Sequence, residues 1–318
     1  MKIAWTGDGC VSDDDLARNV AYCAGLGLPD IGKVDISGIH DRPLAVVGGG
    51  RSVLAYADQL RVWPGDVWAV NGTFDWCRSQ GIDATFFTVD ADPIALDLVA
   101  NVKKAIVPSR IAPCVFDRLI ANGAEIETFF LDPTEAQSGP TSATAAPHVS
   151  LRKGYKNVTF FGCESSYSDG ATHTYTCEAS AVDLMKIAIG GEVHLTKPEF
   201  QLQAQCLAAI IKSFPGIYRE KSGGLLRGFI EHDDYDIVWV STRLWNKLKP
   251  IKEGEPMSPE ALLRRIEKLK ADHKQIKEAF ELARGNLNAV NGALKECQYW
   301  LEQAPKDESA SNVIPMQG

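Results

Sequence analysis

Several clusters in this 318-residue chain combine residue types and spacings suited to phosphate and group-transfer chemistry. The densest begins at Gly162, Cys163 and Glu164 and runs through Ser165, Ser166, Tyr167, Ser168 and Asp169 to Thr172, His173, Thr174 and Tyr175. A loop so rich in hydroxyls can hold phosphate oxygens, and a histidine titrating near neutrality can act as a general base or acid. His173 and Glu164 are therefore the candidate catalytic pair, with Tyr167 and Tyr175 as hydroxyl donors. Gly48, Gly49, Gly50 and Ser52 form a glycine turn whose unpaired amides could cradle a phosphate, although a plain tight turn accounts for the same residues. If those amides must approach a ligand closely, Gly50 should tolerate no side chain and could sit at positive φ. Gly48 and Gly50 match G-x-G, but Val53 replaces the third glycine and no Gly-Lys-Ser/Thr follows. Asn71, Thr141 and Ser142 complete the polar set. Asp90 and Asp92 are spaced so that two carboxylates could approach one divalent cation, Mg²⁺ for instance; alternatively, Asp92 simply caps the helix that Pro93 opens.

These residues need elements to position them. Short β-branched and aromatic runs at 44–47, 67–70, 85–89, 105–107, 126–130, 158–161 and 193–195 show little polar alternation, as expected of parallel strands buried on both faces. Between them, 53–60, 93–101, 113–122, 143–153, 180–189 and 198–213 read as helices, with Gly123, Gly154 and Gly190 as C-terminal stops. The fold class is α/β: a doubly wound, mostly parallel, Rossmann-like sheet followed by a long C-terminal coiled-coil helix. In such a sheet ligands bind beyond the carboxyl ends of the strands. The glycine turn, Asn71, the Asp90/Asp92 pair and Gly162 to Glu164 all follow strands, so they should converge on one cleft.

Four segments are expected: an N-terminal helical arm at 1–41, the nucleotide-binding domain at 42–250, a coiled-coil helix at 258–304 and a flexible tail at 305–318. Ser12 and the aspartates after it could cap a helix through Cys23, making the arm either packing or a lid. From Leu262 to Leu301 a seam recurs at alternating fours and threes, apolar except for His273. The helix would be on the order of 65 Å long, which favours association with other copies over folding back on its own domain.

Lys and Arg number 33 against 41 Asp and Glu, a formal charge of -8 that repels nucleic-acid backbones. There is no signal-peptide pattern and no long apolar run, so a soluble protein with no membrane partner is expected. Eight scattered cysteines without a C-x-x-C pair read as reduced thiols in a cytoplasm.

The order of LAVVGGGRSV, VWAVNGTFDW, TVDADP, GPTSAT and KNVTFFGCESSYSDGATHTY resembles the MptE-like 6-hydroxymethylpterin diphosphokinase domain family. That family is similar in its core to bacterial motility accessory factors and CMP-sialic-acid-dependent sialyltransferases. The match spans roughly 42–230. It implies that Gly48, Gly50, Ser52, Asn71, Ser142 and Gly162 hold a nucleotide and that His173 is the loop histidine. Arg51 stands where a proline is usual, Glu164 where an aspartate is usual, and Pro147 interrupts a helix that is normally continuous.

The expected function is that of a nucleotide-dependent transferase. Metal-assisted diphosphate transfer from ATP to a small hydroxyl-bearing acceptor is slightly favoured over glycosyl transfer from a CMP-linked donor to a sugar acceptor. A non-catalytic, homo-oligomeric assembly protein that keeps the nucleotide fold is the alternative of another class. A nicotinamide dehydrogenase fits poorly, because the third glycine and an acidic end to the second strand are both missing. The seam makes one prediction of its own. Light scattering should show an oligomer that the double substitution Ile276→Asp and Leu287→Asp dissociates, whereas a monomeric unmutated protein would refute the coiled coil.

Overall fold

The structure is a computed structural model that describes residues 11–31, 42–129, 141–167 and 184–241. The chain divides into two compact units, Met1–Ile251 and Lys252–Gly318, and all the described residues belong to the first. The expected coiled coil and tail lie outside the described residues.

Seven strands form a sheet that is parallel throughout: β1 (Leu44–Val47), β2 (Asp66–Val70), β3 (Thr85–Phe87), β4 (Lys104–Pro108), β5 (Glu125–Phe129), β6 (Val158–Phe161) and β9 (Tyr218–Glu220). Their spatial order is β5-β4-β3-β2-β1-β6-β9. The chain steps outward from β1 to β5, then crosses back to lay β6 on the other side of β1. Strand direction is unchanged but the winding reverses, so the ends of β1 and β6 open a crevice between them.

Alternate residues of each strand enter opposite layers, and both layers are apolar. Leu44 and Val46 of β1, with Trp68, Phe87 and Phe129, face α5 (Ser142–Arg152), α6 (Pro198–Ser213) and α7 (Gly224–Glu231). Ala45 and Val47 face the other layer, which holds α1 (Asp13–Gly25), α2 (Ala57–Arg61), α3 (Thr73–Ser79), α4 (Pro113–Ala121) and two 3-10 stretches, Arg51–Tyr56 and Pro93–Val99. On the first face Trp68 stacks on Phe87 at 5.3 Å and Phe87 on Phe129 at 6.0 Å, so aromatic rings join three of the strands.

α1 is a packing helix. Ser12 caps it by accepting from the Asp15 amide, Tyr22 lies 6.4 Å from Phe116 of α4, and the amides of Ile31 and Thr128 tie the following turn to β5.

The expected helix over 180–189 and the assignment of 193–195 to the parallel sheet are both corrected. β7 (Met185–Ile189) and β8 (Glu192–Thr196) form an antiparallel hairpin, joined by β10 (Asp236–Val240) in a separate sheet ordered β10-β7-β8. Gly190 and Gly191 lie at φ +58 and +84, so they form a two-residue hairpin turn and Gly190 stops no helix. The alternating burial of β7 is that of a strand with one covered face. Pro147 does not break α5, which is continuous from Ser142 to Arg152. The Pro147 carbonyl accepts from the Tyr218 hydroxyl at 2.9 Å and the Ser150 hydroxyl at 2.8 Å.

The parallel sheet closes at one joint. Gly48 N–H donates to Phe161 O and Gly50 N–H to Gly162 O, each at 2.8 Å, while Gly162 lies at φ +64. A Cβ on Gly162 would fall 2.3 Å from Gly48 O. Gly162→Ala combines left-handed strain with overpacking and should cost about 2–4 kcal/mol of stability in urea unfolding. A loss under about 0.5 kcal/mol, the size of a neutral surface change, would show that the joint yields without cost.

Candidate functional site

A crevice of about 160 Å³ opens at the point where the winding reverses. The sequence candidates Gly48, Gly49, Gly50, Asn71, Thr141, Ser142, Gly162 and Glu164 line it. Asp90 and Asp92 line an adjoining cavity of about 450 Å³, which shares Asn71, Thr141 and Ser142 with the first. Tyr167 packs 6.3 Å from Phe200, itself a wall of the crevice. His173 and Tyr175 lie outside the described residues.

Glu164 occupies the centre of the glycine turn. It is 3% exposed; one carboxylate oxygen accepts from the Ser52 amide at 2.8 Å and the other from the Ser52 hydroxyl at 2.6 Å. A Cβ on Gly50 would fall 2.1 Å from Glu164 Oε2. Gly50 itself has φ −65, so the expected positive φ is not what excludes a side chain; the carboxylate is. The amides of Gly48, Gly50 and Ser52 are thus committed to Phe161 O, Gly162 O and Glu164 respectively. This turn is first a joint that holds β1 to β6 and to the loop beyond it.

The other rim is built by the start of α5 with the ends of β2 and β3. Thr141 caps α5 in a reciprocal capping box with Thr144, which aims the positive end of an 11-residue helix at the crevice. The Ser142 hydroxyl donates to Asn71 Oδ1 at 3.2 Å and accepts from the Val89 amide at 3.0 Å, fixing the ends of β2 and β3 to the start of α5. Asn71 stands at φ 49 and Ser165 at φ 57, the two non-glycine residues with positive φ among those described. Each rim of the crevice thus carries one non-glycine residue in the left-handed region.

The smaller sheet and α6 hold the loop after β6 in place. The Thr196 hydroxyl donates to Ser165 O at 2.8 Å, Gln203 Nε2 to Ser165 Oγ at 2.9 Å, and the Tyr167 amide to Leu195 O at 2.8 Å. Cys163 lies in the pocket floor, 1% exposed, and burial pushes its thiol well above the ordinary range. It packs in the crevice wall, and its burial disfavours the thiolate that a nucleophile requires.

Asp92 Oδ1 accepts from the Ile94 amide at 2.9 Å and so caps the 3-10 stretch, and Asp90 Oδ1 accepts from the Asp92 amide at 3.3 Å. Among the described residues no three His, Cys, Asp or Glu side chains gather to hold a metal ion. Moreover, a guanidinium, that of Arg110, shares the cavity with both aspartates. Two half-engaged carboxylates beside a fixed cation do not by themselves make a divalent-ion site.

Arg110 joins the sequence candidates at this end of the sheet: it follows β4 after Ser109, where the strand-end rule applies equally. Phe200 and Gln203 reach the crevice from α6, across a second sheet, and nothing in their local sequence announces it.

No protein-family model matches the chain, and no curated protein does. The resemblance over 42–230 therefore rests on its five motifs. Among solved structures, the MAf glycosyltransferase from Magnetospirillum magneticum AMB-1 is similar at 16% identity and a TM-score of 0.49. The match covers 69% of this chain and 38% of that protein, so this chain spans well under half of the neighbour's length. No described helix is long and apolar enough to cross a membrane.

Ser52→Ala removes the partner of Glu164 Oε2 and leaves a buried carboxylate oxygen unsatisfied. The expected loss is about 1.5–3 kcal/mol in chemical denaturation, the range for a hydrogen bond to a charged group. An unchanged midpoint would mean that the carboxylate is solvated and does not hold the turn.

Proposed function

We propose that the chain binds a nucleotide in the crevice between β1 and β6 and transfers a glycosyl group from it to a hydroxyl-bearing acceptor. The observation that supports the reading is the crevice itself. It sits at the winding reversal and is lined by the glycine turn, Asn71 and the capped start of α5. A phosphate there would meet the positive end of α5 and the amides of its first turn, both favourable to an anion. The Asn71 amide group would orient the nucleotide from the end of β2.

Glycosyl transfer is favoured over diphosphate transfer because of the charge in the adjoining cavity. Diphosphate transfer relies on a cation to neutralise developing charge. Beside Asp90 and Asp92 the cation already present is Arg110. Sugar transfer from a CMP-linked donor needs the leaving phosphate to be held and a base beside the acceptor hydroxyl, roles proposed for α5 with Asn71 and for His173. Tyr167 and Tyr175 are the proposed hydroxyl donors. Glu164, clasped by Ser52, serves this reading as a positioning group that sets the glycine turn. The five motifs resemble the MptE-like family, and that family's similarity in its core to CMP-sialic-acid-dependent sialyltransferases is what suggests CMP as the nucleotide.

A thermal-shift series tests the proposal, because a ligand that binds only the native state raises the melting temperature by mass action. CMP should raise it without Mg²⁺, and Asn71→Ala should weaken CMP binding about tenfold through loss of a hydrogen bond to a charged group. A shift with ATP only in the presence of Mg²⁺ would replace this reading with the diphosphokinase one. No shift with CMP, CTP, ATP or UDP-sugars would overturn nucleotide binding.

A further inference from the structure

The smaller sheet has one covered face and one open face. Met185, Ile187 and Ile189 of β7 are buried in the layer that holds α6 and α7, whereas Lys186 and Ala188 point the other way. Residues directly opposite each other on antiparallel strands share a face. Leu195 and Trp239, opposite Lys186, and Val193 and Asp236, opposite Ala188, therefore complete the outer surface. Val193 is 60% exposed and Trp239 45%, and the Lys186 ammonium lies 5.7 Å from the centre of the Trp239 ring. The face is thus apolar along its middle. At its hairpin end it is acidic, because Glu192, Asp234 and Asp236 are exposed beside the Gly190-Gly191 turn. An apolar sheet face is normally covered by a second layer.

We infer that this face is the docking surface for residues 242–250 of the same chain, which follow β10 directly and lie outside the described residues. The chain leaves β10 at the end of the sheet opposite the Gly190-Gly191 turn, where the Ser241 amide donates to Leu184 O at 2.6 Å. In the segment that follows, Leu244, Trp245 and Leu248 fall on one side of a helix, Arg243, Asn246, Lys247 and Lys249 fall on the other, and Pro250 is a stop. Nine helical residues are about 13 Å long, and a five-residue strand such as β7 is about 16 Å long, so a helix folded back along the strands covers the face. Its apolar side then meets Trp239, Leu195 and Val193, while Lys247 and Lys249 reach the acidic hairpin end. A helix so short is not stable alone in water, so its order comes from the sheet. β8 also fixes the loop after β6, through Leu195 O and the Thr196 hydroxyl, so the docked segment braces the strand that positions that loop. The inference is independent of the transferase reading.

The test uses the full chain and two readouts of residues 242–250. Limited trypsin digestion should cleave after Arg243 and Lys247 at least about tenfold more slowly in the unmutated chain than in Val193→Asp, which puts a carboxylate beneath the helix, because cleavage follows the fraction of open segment. Trp245→Ala should release the same two sites from the segment's own side. Replacing Lys247→Glu and Lys249→Glu together should speed cleavage after Arg243, since both side chains would then face Glu192, Asp234 and Asp236. Hydrogen exchange should show the amides of 245–249 protected in the unmutated chain and unprotected in Val193→Asp and Trp245→Ala, with protection of β7 kept in all three, which reports that the variants are folded. Equal cleavage in the unmutated chain and the two variants would overturn the inference. So would protection that neither Val193→Asp nor Trp245→Ala removes, because something other than this face then covers the segment. Protection that rises with protein concentration would overturn it too, assigning the face to a second copy of the chain.

Discussion

The molecule depends on how β1 meets β6. Two backbone hydrogen bonds at 2.8 Å join the glycine turn to the end of β6, and the Glu164 carboxylate grips both the amide and hydroxyl of Ser52 across that joint. The approach is so close that Gly48, Gly50 and Gly162 have no room for a Cβ. A parallel sheet that reverses its winding must leave a crevice at the reversal, and the clasp determines how wide that crevice is.

Two kinds of electrostatics meet there. On one rim the start of α5 offers a fixed partial positive charge without a titrating group, which suits a phosphate at any ordinary pH. On the other, Arg110 carries a full charge with Asp90 and Asp92 lining the same cavity. Ser142 sits between them, bonded to Asn71 and to the Val89 amide, so the two regions share one rigid wall.

Much of this was legible in the sequence. Buried strands without polar alternation located β1 to β6 to within about two residues, since a parallel sheet covered on both faces leaves no other pattern. The strand-end rule then placed the glycine turn, Asn71, Gly162 and Glu164 at one crevice. What escaped is instructive. Residues 185–189 carry helix-compatible side chains, and only the pair Gly190-Gly191, both at positive φ, reveals the hairpin. The glycine turn reads equally as a phosphate cradle or a plain tight turn, because nothing local shows that a glutamate more than a hundred residues later fills it. Phe200 and Gln203 escaped for the same reason, since tertiary placement alone brings them to the site.

The central claim is that a nucleotide occupies the β1–β6 crevice, and hydrogen–deuterium exchange in the presence and absence of CMP tests it most directly. Exchange reports local opening segment by segment, so a bound ligand slows it where it sits. The account requires protection in peptides covering 48–53, 70–73, 141–145 and 162–166 together, because those segments form one wall. Protection confined to other segments, or none at saturating CMP, would contradict it.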